Sequence, residues 1–172
     1  MKGVFEVYSV GDIVFYSSTG ICEVKSIGDP GVGLPTHVSY YTLQPLSKNH
    51  REMIYVPTDT KAFMRYAIDG SKAQSYIDMV KGIEPAYPES RNPKAIQDFY
   101  SQLMSTYDSI NLLKIIVSLT LKKREVGARN KSLNQTQTSF LKRAQEMVYN
   151  EFAYALGISS EEVREIIEKQ II

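Results

Sequence analysis

The hydrophobic pattern of the chain changes period near residue 70. Before that point short apolar runs alternate with polar positions, and beyond it apolar residues recur every three or four positions. "DIVFY" (12–16), "ICEVKSI" (21–27), "HVSYYTLQPL" (37–46), "MIYVP" (53–57) and "AFMRYAI" (62–68) read as five strands rich in β-branched and aromatic residues. "SSTG" (17–20), "GDPGVGLP" (28–35) and "SKNHRE" (47–52) are turns. Gly and Pro in the second supply backbone angles that a strand cannot. Five short strands with tight turns predict a small curled sheet or barrel.

The second half reads as helix. The spacing predicts a helix over 71–81, then a linker, "GIEPAYPESRNP" (82–93). Asn92 before Pro93 is a start signal, because the Asn oxygen accepts an orphan amide and Pro has none to satisfy. That helix runs to about residue 105. Asp108 caps the next, placing Ile110, Leu113, Val117 and Leu121 on one face. "GARNKSL" (127–133) breaks it, and Asn134 with Gln137 forms a capping-box variant ahead of Leu141, Ala144, Val148, Phe152 and Ala155. Gly157 can end that helix in the left-handed region, and Ser159 with Glu162 opens a last one. The predicted fold is α+β by segregation: a β module over 1–68 followed by an all-helical module over 69–172.

Composition adds bounds. With 43% apolar residues among 172, the chain can build a real core. No run approaches the roughly 18 apolar residues of a membrane span. The N-terminus lacks the apolar segment of a signal peptide. The lone Cys22 lies mid-strand and reads as core filler. A cytoplasmic protein with no membrane partner is expected. Catalytic signals are missing too. His37 and His50 are the only histidines and lack metal-ligand spacing, and "GDPGVG" lacks the lysine and following helix of a phosphate loop. No metal, no cofactor and no enzymatic activity are expected. An enzyme would need a pocket of convergent carboxylates.

The net charge of +1 hides an uneven distribution. Residues 114–143 hold eight Lys and Arg and one acid, Glu125, whereas 144–172 hold six Glu and two basic residues. Lys122, Lys123, Arg124, Arg129 and Lys131 sit at a helix end and in the loop after it. Lys142 and Arg143 lie on the next helix, off its apolar face, and an αα-hairpin would gather the set. Such a cluster either contacts phosphates or is a solvated face with lysines favoured by the helix dipole. "YALGISSEEVREII" (154–167) has the outline of a helix-turn-helix. Glu161, Glu162, Glu165 and Glu168 on its second helix would be repelled by phosphates, so it reads as a structural corner.

"VYSVGDIVFYSSTGICEVKSI", "YYTLQPL" and "MIYVPTDTKAFMRYAI" together resemble the N-terminal domain of CarD/CdnL-type bacterial transcription regulators. The family pattern V-G-D-x-V-V-Y-P-x-x-G is met by Val10, Gly11, Asp12, Val14, Tyr16 and Gly20. Tyr40, Tyr41 and Leu43 meet its Y-Y-V-L, and Val56 and Pro57 its closing V-P. Leu133, Leu141, Ala144, Val148, Glu151 and Phe152 are similar to a helix of the family's second module. The resemblance implies a Tudor-like β barrel that docks on the β subunit of RNA polymerase. It also implies a helical module that contacts promoter DNA at the upstream edge of the melted region, through phosphates and the minor groove. The open complex would be stabilised by differential affinity.

Polymerase contact is then expected at Met53, Ile54, Tyr55, Val56 and Pro57, with Lys25 on the hairpin neighbour, since a sheet edge can accept a partner strand. DNA contact is expected at Lys122, Lys123, Arg124, Arg129, Lys131, Lys142 and Arg143, with Tyr87 and Arg91 in the linker. The chain departs from the family in three places. Ser17 stands where a Pro is common, and Tyr55 where some relatives carry a polymerase-contacting Arg. No Trp is available as a minor-groove wedge, which leaves Tyr87 either as its replacement or as a plain linker aromatic. A monomer is expected. The other reading of the same features is an adaptor that binds polymerase or another protein without touching DNA.

Overall fold

The structure is a computed structural model, described over residues 7–47 and 52–171. It divides into two compact units, residues 1–67 and 68–172. An antiparallel sheet makes the first and five helices the second, so the layout is α+β.

In the β unit, β1 (Ile13–Tyr16), β2 (Gly20–Gly28), β3 (Tyr40–Pro45), β4 (Ile54–Pro57) and β5 (Met64–Tyr66) lie in the order β4-β3-β2-β1-β5. β4 and β5 are the two edges and do not pair, so the sheet is open rather than the closed barrel expected. Residues 48–51 of the expected turn, His50 among them, lie outside the described residues. Val14, Cys22, Val24, Tyr41, Leu43 and Val56 pack on one face, joined by Tyr8. Tyr8 reaches back over the sheet, its ring edge-on to Tyr41 at 5.8 Å and to Tyr66 at 4.9 Å. The turn that aims it is built by Asp12, whose carboxylate accepts the Ser9 amide at 2.7 Å. Gly11, at φ +93°, donates to the Val24 carbonyl at 2.8 Å. Cys22 is fully buried, and desolvation pushes its thiol up to about 12, which makes it an unreactive packing group.

The Ser17 departure has a local cause. Its φ is +39°, and its amide donates to the Phe63 carbonyl at 2.9 Å beside the β1–β5 pairing. Proline can adopt neither that φ nor that role. The turn after β1 in this chain therefore excludes the residue common in the family it resembles. On the face opposite the core cluster, Phe15 meets Phe63 edge-on at 6.4 Å and lies under the Arg65 guanidinium at 4.4 Å.

The helical unit contains α1 (Gly70–Met79), α2 (Pro93–Ser105), α3 (Ser109–Gly127), α4 (Gln135–Leu156) and α5 (Ser160–Gln170), with a 3-10 turn at Val80–Gly82. Its helix boundaries follow cap chemistry. Asn92 accepts the Lys94 amide, Asp108 accepts those of Ile110 and Asn111, and both expected capping boxes are formed. The Ser159 amide donates to the Glu162 carboxylate at 2.8 Å, which lowers that carboxyl's pKa. Gly157 ends α4 at φ +67°. α3 differs from expectation. Instead of one apolar face it is buried on nearly all sides from Leu112 to Thr120, and it packs against both α2 and α4. A helix apolar all round belongs at the centre of its unit. None of the described helices is long and apolar enough to cross a membrane.

Two features fix where the helical unit starts. The Ile68 amide donates to the buried Glu151 carboxylate at 3.1 Å. A Cβ on Gly70 would lie 2.9 Å from the Ala155 carbonyl oxygen, so α1 can approach α4 only with no side chain there. Gly→Ala in a helix ordinarily stabilises by up to about 1 kcal/mol. Here overpacking against backbone reverses the sign. Gly70→Ala is expected to destabilise the helical unit by about 1–2 kcal/mol, read by urea denaturation followed by helical circular dichroism.

Candidate functional sites: a free strand edge and a basic surface

Among the described residues β4 pairs with β3 alone, in the register Tyr40↔Pro57, Tyr41↔Val56, Thr42↔Tyr55 and Leu43↔Ile54. The Thr58 amide donates to the Ser39 carbonyl at 2.9 Å, which sets the alternation along the ladder. The 41↔56 and 43↔54 pairs exchange hydrogen bonds, and Tyr55 turns its N–H and C=O away from β3. Pro57 points the same way, on the side of an edge strand where a missing N–H costs nothing. Val56 is buried and Ile54 packs against the core cluster, while Met53 is 41% exposed and Tyr55 half-buried. The result is a short open edge with a backbone donor and acceptor at Tyr55, flanked by apolar side chains.

Lys25 does not belong to this edge. It lies on β2, separated from β4 by β3, at the shift in register between Val24 and Ser26. It is ion-paired with Glu23 at 2.8 Å. A one-residue bulge re-aims a side chain and cannot be read from strand periodicity.

The basic residues of the helical unit divide into two groups. Arg124 is held within the fold: Nη1 donates to the Ile171 carbonyl at 2.6 Å and Nη2 to the Glu168 carbonyl at 3.2 Å. A guanidinium there satisfies the orphan carbonyls at the end of α5. Arg129 pairs with Glu125 at 3.2 Å, both exposed. Lys123, Lys131, Lys142 and Arg143 are exposed, Lys122 is half-buried, and none of the five has an ion-pair partner among the described residues. They sit along the end of α3, the connecting loop and the first turns of α4, two helices packed on each other.

In the linker, Arg91 is exposed and Tyr87 is 43% exposed. The Tyr87 hydroxyl donates to the Ser118 carbonyl at 3.1 Å. Burial raises this phenol's pKa and Glu125 raises it further. Ser118, which nothing in the sequence singles out, lies fully buried on α3, and its Oγ accepts the Ala86 amide at 2.8 Å. The described residues contain no group of three or more His, Cys, Asp or Glu that could hold a metal. An open cleft of about 430 Å³ brings Asp78, Glu84 and Lys114 beside Met79, Ile83 and Ile110, with no histidine, serine or cysteine in its lining.

Residues 8–68 match the CarD-like/TRCF RID domain family. The chain carries a CarD-like/TRCF RID domain. The match covers the five strands of the β unit and stops at the start of the helical unit. No curated protein matches the chain. In this RID domain the matched segment includes the free β4 edge, the bulge at Lys25 and the Ser17 turn.

The division among the cations is testable. Arg124→Ala is expected to cost about 1–3 kcal/mol, the value of charge-assisted hydrogen bonds to carbonyls. Lys123→Ala should stay within about 0.5 kcal/mol of the parent. Urea denaturation compares the two.

Proposed function

We propose that this protein regulates transcription by binding RNA polymerase through the RID domain and promoter DNA through the helical unit. The observation that carries the polymerase reading is the family match over a unit whose β4 edge is unpaired at Tyr55. A CarD-like RID domain is a protein-interaction module, and an open edge of this kind binds a partner through main-chain hydrogen bonds. Side chains flanking the edge then supply specificity. The proposed partner strand comes from the polymerase β subunit and pairs along Met53–Pro57. The Tudor-like character of the unit belongs to this reading and rests on the resemblance.

For DNA, the support is the set of cations without an ion-pair partner at Lys122, Lys123, Lys131, Lys142 and Arg143 among the described residues. Such groups bind phosphates and release counterions without reading sequence. Arg124 is left out of the phosphate-binding set because its guanidinium is committed to α5. Arg129 contributes less because it is paired with Glu125. Tyr87 offers the flank of its ring to a minor groove, its polar tip being tied to α3. A chain that touches polymerase and melted promoter at once stabilises the open complex by its greater affinity for that state.

The edge is tested by Tyr55→Pro. The Tyr55 N–H is not used by β3, so proline there should leave the sheet folded and remove the outward donor. Capture of the polymerase β subunit by the full chain is expected to fall about tenfold or more, with circular dichroism unchanged. Undiminished capture contradicts edge docking.

The DNA reading is tested by Lys122→Glu, Lys123→Glu and Lys142→Glu combined. Promoter binding should weaken, and the slope of log affinity against log salt should flatten by about one for each phosphate no longer neutralised. If neither changes, the protein acts as an adaptor that binds polymerase and ignores DNA.

A further inference from the structure

The linker between the 3-10 turn and α2 lacks regular structure, so its backbone groups need partners from elsewhere. The Ala86 amide finds one on α3, and the side chain of the next residue, Tyr87, bonds to the same α3 residue. The Ser118 Oγ accepts the Ala86 amide at 2.8 Å, and the Ser118 carbonyl accepts the Tyr87 hydroxyl at 3.1 Å. The Ser118 hydroxyl proton goes to the Lys114 carbonyl at 2.6 Å, which orients the oxygen as an acceptor for Ala86. Ser118 is fully buried, and α3 at this point is enclosed by its neighbours, so the anchor itself is rigid. Tyr87 by contrast keeps 43% of its surface exposed. A ring held by its phenol and by the backbone beside it, with its flank left open, has lost most of its rotational freedom before it meets a ligand. That loss otherwise costs about 0.5–1.5 kcal/mol per immobilised side chain on binding.

We infer that Ser118 is a positioning residue: it fixes the linker on α3 so that the Tyr87 ring is presented, pre-ordered, to an unstacked base step at the edge of melted DNA. This rests on the DNA reading of the helical unit. Ser118 itself touches no ligand and acts through Tyr87. The substitution Ser118→Ala removes the acceptor for Ala86, and Tyr87→Phe removes the phenol bond while keeping the ring. Both leave every basic side chain in place, so they separate ring presentation from phosphate attraction.

The test uses the full chain with two probes, an intact promoter duplex and the same duplex with a preformed unpaired segment. Hydrogen exchange at the Ala86 amide is measured in parallel on the free protein. The parent should protect Ala86, and Ser118→Ala should speed its exchange about tenfold, the equivalent of one hydrogen bond. Both Ser118→Ala and Tyr87→Phe should weaken binding to the melted probe about three- to tenfold while leaving duplex binding unchanged. The double variant Ser118→Ala/Tyr87→Ala should bind the melted probe no more weakly than Tyr87→Ala alone. An unprotected Ala86 amide in the parent overturns the tether. Additive losses in the double variant, or equal losses on both probes, overturn the positioning role and leave Ser118 a stabilising residue only. Unaltered binding of the melted probe by Tyr87→Ala overturns the contact by Tyr87, and the positioning role with it, whatever the Ala86 exchange shows.

Discussion

Backbone hydrogen-bonding groups that helices and strands leave unpaired govern this structure. Each one must be satisfied or left at a surface where something else can satisfy it. In the helical unit the irregular segments are closed by single buried or clamped side chains. Glu151 takes the Ile68 amide, Ser118 takes the Ala86 amide, and Arg124 takes two carbonyls at the end of α5. In the β unit the sheet ends at two edges, β5 and β4, and the outer row of β4 is one place where such groups stay open among the described residues. A free edge is a hazard unless it is short or occupied. This one is four residues long and ends in a proline, which limits self-association while leaving Tyr55 able to receive a strand.

The same constraint sorts the cations. A guanidinium that completes a helix end has fewer donors left for a phosphate than a cation with no partner. What remains is a set of lysines and one arginine along α3, α4 and the loop between them, together with a linker ring whose phenol is anchored. The RID domain and the helical unit thus use opposite strategies. The first leaves backbone groups open along β4. The second closes the Ile68, Ala86 and α5 groups with its own side chains and exposes charge and one aromatic flank.

Local rules are legible in the sequence. Asn92, Asp108, the Asn134/Gln137 and Ser159/Glu162 boxes and Gly157 place the helix ends because a cap depends on residues within one turn of each other. The five strands are legible for a similar reason, since alternation is local. What the sequence hides depends on distant partners. Periodicity gives α3 a single apolar face because it records spacing and not how many neighbours cover a helix. Arg124 reads as one more cation, its carbonyl partners lying 44 and 47 positions away. Lys25 reads as a neighbour of the β4 edge because strand order is a tertiary property, and only the sheet shows β3 lying between β2 and β4. Ser118 carries no signal at all: a serine inside an apolar helix is chemically informative only once Ala86 and Tyr87 are seen to rest on it. The family resemblance marks Tyr55 correctly as a β4 residue, but only the register shows which way its amide points.

If β4 is the edge that receives a strand of polymerase, exchange at its individual amides will register it. In the free chain the Ile54 and Val56 amides, bonded to β3, should exchange slowly, and the Tyr55 amide, facing outward, should exchange fast. On binding the polymerase β subunit, the Tyr55 amide should become as slow as its neighbours. A Tyr55 amide that still exchanges at its free rate in the formed complex would mean that β4 receives no strand there.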